Sequence, residues 1–133
     1  MCFDPTNRFF SDTYTNHPDH RASGDATIDA VFPTARDRLT FPELLVDGYE
    51  PHKVKQLWMG SAQKPNVWID IAETLELKKK ALAAHPSQLG PDIVEFGEQM
   101  ARWAAEGQDL EFAEAFHRII FDQGFSEPET SPA

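Results

Sequence analysis

One cysteine, Cys2, stands in 133 residues. A lone thiol cannot close an internal disulfide or build a thiolate metal site by itself, so disulfide frameworks and zinc ribbons are excluded. Any metal must be held by histidine and carboxylate. No apolar run approaches the roughly 20 residues that cross a bilayer, and Met1-Cys2-Phe3-Asp4-Pro5 lacks the basic start and apolar stretch of a secretory signal. The expectation is a soluble, cytoplasmic protein with no membrane span. Positive charge is scarce as well: 12 Lys and Arg stand against 22 Asp and Glu, for a net charge of −10. A phosphate backbone rewards clustered cations and repels a surface of this sign, so nucleic acid is not expected as a partner. Lys78-Lys79-Lys80 does not change that, because consecutive residues fan around a helix instead of forming a stripe.

What is present suits one domain with a real core, since 41% of the residues are apolar. Residues 1 to 16 have no helical periodicity and read as a strand remnant followed by a loop. Pro18 suits the first position of a helix, whose small apolar face of Gly24, Ile28 and Val31, with Ala22 and Ala26, ends before Pro33. Strands are expected over 53 to 59 and over 67 to 71, the second following a turn at Lys64-Pro65-Asn66. Helices are expected over 73 to 85, 91 to 106 and 109 to 121. Ile93, Phe96, Met100 and Trp103, then Phe112, Phe116, Ile119 and Ile120, recur at helical spacing and read as core. Strands interleaved with helices give the α/β class. The polar, Pro-containing stretch 122 to 133 reads as a disordered tail beyond a domain of residues 1 to 121.

Chemistry concentrates in Asn16-His17-Pro18-Asp19-His20-Arg21. With Pro18 opening the helix, His17 sits at the cap and His20 three residues on, so both imidazoles can reach the same side of the helix start. The positive potential there disfavours imidazolium, and a neutral imidazole is the form that ligates metal. Asp19 adds a carboxylate that can bind metal or hold a ring in one tautomer. The same spacing also fits a helix start with two partly exposed histidines that do no chemistry. Tyr14 brings a phenol that could help bind an oxyanion. His85 closes its helix, where it can lean toward a site or satisfy helix carbonyls; His52 and His117 read as structural.

Tyr14-Thr15-Asn16-His17-Pro18-Asp19-His20-Arg21-Ala22 resembles the second motif of the PIG-L/LmbE family of zinc-dependent N-acetylglucosaminyl deacetylases. Asp4-Pro5-Thr6-Asn7-Arg8-Phe9-Phe10 is similar to what precedes that motif in some bacterial members. Asn66-Val67-Trp68-Ile69-Asp70-Ile71, then Lys78, Ala81 and Ala84-His85-Pro86-Ser87-Gln88, resembles the family's closing strand and helix. The resemblance implies a Rossmann-like α/β/α sandwich, with the site above the carboxyl ends of parallel strands. It also implies a zinc cofactor and an N-acetyl amino sugar conjugate as substrate. By this resemblance His20 is a zinc ligand, His17 protonates the leaving amine or steadies the oxyanion, and Asp19 tunes that histidine. Tyr14 and His85 are weaker substrate-binding candidates.

Family members begin with a His-Pro-Asp-Asp motif that supplies two zinc ligands and the general base. The only His-Pro pairs in this chain are His17-Pro18 and His85-Pro86. The chain is therefore expected to correspond to the carboxyl-terminal half of the family fold, with a helical C-terminal end, and to be inactive alone. Self-association or pairing with an absent amino-terminal half is the matching expectation. The alternative is a non-catalytic α/β binding or assembly module derived from the family.

Overall fold

The computed structural model describes residues 1–121. In chain order the elements are β1 (Cys2–Phe3), β2 (Phe9–Ser11), β3 (Tyr14–Thr15), α1 (Pro18–Val31), α2 (Glu43–Val46), β4 (Gln56–Gly60), β5 (Val67–Asp70), α3 (Leu75–Ala83), α4 (Ile93–Ala105) and β6 (Ala113–Ile120). Short 3-10 turns occupy Thr34–Arg36 and Ala72–Thr74. The four-stranded sheet has the order β1-β4-β6-β5, and β2 pairs with β3 in a separate hairpin. The expected tail over 122 to 133 lies outside the described residues.

The chain divides into two compact units, one of Met1–Met59 with the stretch from Arg118 and one of Gly60–His117. In the first, α1 starts where predicted, with Pro18 in its first turn and His17 at the cap. Gly24 is the buried residue of this helix. A Cβ there would stand 2.5 Å from the Phe3 carbonyl oxygen and 3.0 Å from Pro5 Cδ, so only glycine lets α1 lie this close to the β1 segment. That contact fixes the helix start relative to Phe3. Buried Leu57 and Met59 alternate along β4 and supply apolar packing, each contributing about 2 kcal/mol by removal from water.

The second unit is built on α3, α4 and an antiparallel pair of strands. β5 and β6 register Val67 with Phe116 and Asp70 with Ala113. Ile71, Leu75, Ala101 and Phe112 form its buried cluster. Two sequence expectations are corrected here. The stretch 109 to 121 is not a helix, because Ala113–Ile120 is strand β6. Phe112 and Phe116, four residues apart, fit one face of a helix and equally one face of a strand; pairing with β5 decides for the strand. The stripe of α4 expected in the core is turned outward, with Phe96, Met100 and Trp103 each about half exposed. Its buried residues are Gly97, Ala101 and Ala105. A Cβ on Gly97 would meet Leu82 Cδ1 at 2.4 Å, so the small-residue face is the one that admits α3 at this distance.

Candidate active site

The site residues of the first unit are held by a short polar framework around the hairpin. Asp4 Oδ1 accepts hydrogen bonds from Thr6 N at 2.9 Å and Thr6 Oγ1 at 2.6 Å, closing the turn after β1. The hairpin pairs Phe9 with Thr15 and Ser11 with Tyr14 across an irregular register. Asn16 then joins hairpin to helix. Its backbone N–H donates to Arg8 O at 2.9 Å, and its side-chain Nδ2 donates to Asn7 O at 2.8 Å. Its carbonyl oxygen accepts from the Arg21 guanidinium on the first turns of α1. Asn16 is 1% exposed, and its Oδ1 has no hydrogen-bond partner among the described residues.

This framework brings His17 and His20 together as the motif predicts, with ring centroids 5.4 Å apart and planes tilted by 35°. Tyr14 closes on His17 from the hairpin: its hydroxyl is 3.0 Å from Nε2, within hydrogen-bond reach, and its ring lies edge-on at 6.0 Å. Phe3 stacks on His20 with centroids 4.0 Å apart and planes 2° from parallel. Asp19 lies in the first turn of α1, and among the described residues no hydrogen bond joins it to either imidazole. His85 belongs to the second unit, in the turn after α3. There its Nδ1 is 2.9 Å from Ala81 O, the arrangement of a histidine bound to its own helix carbonyls. His117 Nδ1 is 2.8 Å from Lys64 O, also in the second unit.

Chemically, the cluster offers two imidazoles and a phenol at the electropositive start of a helix, a setting suited to an anionic oxygen and to proton transfer. It does not by itself fit a zinc centre. A catalytic zinc takes three protein ligands and an open position, and among the described residues no group of three or more His, Cys, Asp or Glu is placed to hold a metal ion. Sequence reasoning missed Phe3 as the packing partner of His20 and Phe10 as a neighbour of Tyr14, at 5.8 Å. The first contact spans 17 residues and carries no periodic signal. The second, across the hairpin, could have been found had Phe9–Thr15 been read as paired strands.

The sequence matches no protein-family model. It is similar to a diacetylchitobiose deacetylase of Thermococcus kodakarensis, 33% identical over 92 residues that make up 69% of this chain and 34% of that protein. Among solved structures it is similar to N,N'-diacetylchitobiose deacetylase from Pyrococcus horikoshii complexed with its inhibitor MPG. The two are 28% identical with a TM-score of 0.76, over 90% of this chain and 44% of the other. The fold is thus the Rossmann-like α/β type. Its relatives are diacetylchitobiose deacetylases, and the chain spans between a third and a half of their length. Among the described residues no helix is long and apolar enough to cross a membrane.

Proposed function

We propose that this chain carries the acid-side residues of a PIG-L/LmbE-type deacetylase that removes the acetyl group from an N-acetylglucosamine-type conjugate. The observation that supports the reading most directly is the Tyr14, His17 and His20 cluster at the start of α1, with the tyrosine hydroxyl 3.0 Å from His17 Nε2. In amide hydrolysis, water adds to the acetyl carbonyl and the C–N bond of the tetrahedral species then breaks. The departing nitrogen must gain a proton, a role this reading assigns to His17, leaving acetate and a free amine. The helix start and the Tyr14 hydroxyl favour the negative oxygen formed on the way. Asp19 is assigned to electrostatic support of His17, and His85 at most a peripheral role.

Zinc dependence belongs to the same proposal, with His20 as the ligand this chain contributes and the other ligands outside it. A zinc held in part by His20 would lower the pKa of a bound water and polarise the acetyl carbonyl. The test is a chimera in which residues 1 to 121 replace the matching region of the Thermococcus relative. Acetate release from N,N'-diacetylchitobiose is expected from the chimera and not from the isolated chain. His17→Ala in the chimera is expected to lower kcat by about 10²-fold or more. A folded chimera that releases no acetate, or one indifferent to His17→Ala, rejects the reading.

A further inference from the structure

The stretch between α1 and β4 closes on itself. Tyr49 N–H donates to Leu44 O at 2.9 Å and His52 N–H to Ala35 O at 2.7 Å, and the loop so formed lines a cavity of about 200 Å³ within the first unit. Ala35, Phe41, Leu44 and Leu45 give it apolar walls, Tyr49 adds a second ring, and its charged lining residues, Asp37 and Glu50, are both acidic. None of Tyr14, His17 and His20 lines it, so the site is separate from the histidine cluster and independent of the deacetylase reading. Phe41 and Tyr49 are more than half exposed. Phe41 also has φ of +55°, in the left-handed region that strains a bulky side chain. Holding rings out into water in this way is unfavourable unless something covers them.

The two carboxylates differ. Glu50 is paired with Arg38, whereas Asp37 accepts from neutral donors, Leu39 N–H to Oδ1 and Thr40 Oγ1 to Oδ2, each at 2.9 Å. Those bonds, the backbone one first, hold the Asp37 carboxyl below its ordinary value. It is a standing anion at the edge of an apolar cavity.

We propose that this cavity holds a protonated amine on a short alkyl stem, with the ammonium at Asp37 and the stem along Phe41, Leu44 and Tyr49. An anionic ligand is repelled by Asp37 and Glu50. A neutral apolar one covers the walls but takes water from the Asp37 carboxylate and returns no bond for it. An ammonium answers the carboxylate with a charge-assisted hydrogen bond and is drawn to the electron-rich faces of the two rings, while its stem covers the apolar walls as a lysine stem does elsewhere. A short stem suits the volume, since pockets for drug-sized ligands run to about 300–1,000 Å³. The same group ends a free polyamine and the lysine side chain of a partner.

The intact chain is titrated with pentylammonium, pentan-1-ol, pentanoate and the amide of Nα-acetyl-lysine at about 0.15 M salt, where diffuse attraction to the net charge is screened, and the ring-proton shifts of Phe41 and Tyr49 are followed. Pentylammonium is expected to saturate these shifts and to bind at least about threefold tighter than pentan-1-ol, with no saturation by pentanoate. Asp37→Asn leaves an oxygen to accept from Leu39 N–H and is expected to weaken pentylammonium about threefold. Asp109→Asn removes the same charge from an exposed position in the second unit and is expected to change nothing. Tyr49→Ala, which removes no charge, is expected to weaken pentylammonium about twofold to threefold, and tests the site even where Asp37→Asn disturbs the loop. Tighter binding of the lysine amide than of pentylammonium supports the site with a partner's side chain as its source, and the reverse order supports it with a free amine. Equal binding of pentan-1-ol and pentylammonium, equal losses in Asp37→Asn and Asp109→Asn, or no saturable shift at either ring overturns the proposal.

Discussion

Gly24 shows how much one absent methyl group decides. With the Phe3 carbonyl 2.5 Å from where its Cβ would be, Gly24→Ala forces the β1 segment and α1 apart. A backbone carbonyl cannot swing aside as a flexible side chain could. The substitution is expected to cost about 1–3 kcal/mol, read as a lower urea midpoint at unchanged slope, and to weaken the stacking of Phe3 on His20, read from the His20 ring-proton shifts. A stability equal to the wild type would show that the close approach is not held in solution. Asn16 acts at the same scale: its buried amide and backbone connect the Asn7–Arg8 segment to the residue before His17, and so set the height of the hairpin beside the imidazoles.

Between elements, α3 and α4 are joined by charge as well as by packing. Lys79 bonds Glu98 and Glu76, and Arg102 bonds Glu98 at 3.1 Å. The hydrogen bond from Lys79, and secondarily that from Arg102, holds the Glu98 carboxyl below its ordinary value. The bonds to Glu98 and then Glu76 hold Lys79 above its own. A lowered carboxylate stabilises fully above the unfolded value and loses that contribution as pH falls through the folded one; the raised lysine loses its share only as pH rises through its elevated value. Glu98→Gln is therefore expected to lower the thermal midpoint slightly at pH 7, with the gap to the wild type narrowing as the pH is taken from 7 toward 3. Both side chains keep partial contact with solvent, so the effect is small. A gap that stays constant between these pH values would remove the ion pair as its source.

For the whole molecule, the question is how much of a metal centre this chain holds. Its histidines and carboxylates do not converge in threes among the described residues. His20 is nonetheless the residue proposed to contribute one ligand. Calorimetry with zinc on the intact chain is expected to show weak binding, reduced by His20→Ala. Tight one-to-one binding abolished by His20→Ala would mean that the chain holds a complete site. The net charge of −10 gives any divalent cation diffuse attraction, so the measurement is made at moderate salt, where that field is screened and a built site is not.

The α/β class, the start of α1 at Pro18, the strands near 56 to 60 and 67 to 70, and the meeting of His17 with His20 were legible in the sequence because each is local. Proline fixes a helix start, alternation marks a strand, and a three-residue spacing puts two imidazoles on one side of a helix. The wrong readings are those where local rules allow two answers. Phe112 and Phe116 fit a helix or a strand, and only the partner β5 chose. Phe96, Met100 and Trp103 make a larger apolar stripe than Gly97, Ala101 and Ala105, yet the small face went inward, because Leu82 packs against α4 only where Gly97 leaves room. The stack of Phe3 on His20 and the reach of Tyr14 to His17 likewise belong to tertiary structure. A sequence carries the periodicity of one segment at a time, whereas which face is buried and which ring meets which depend on the volume and hydrogen bonds that a second segment brings.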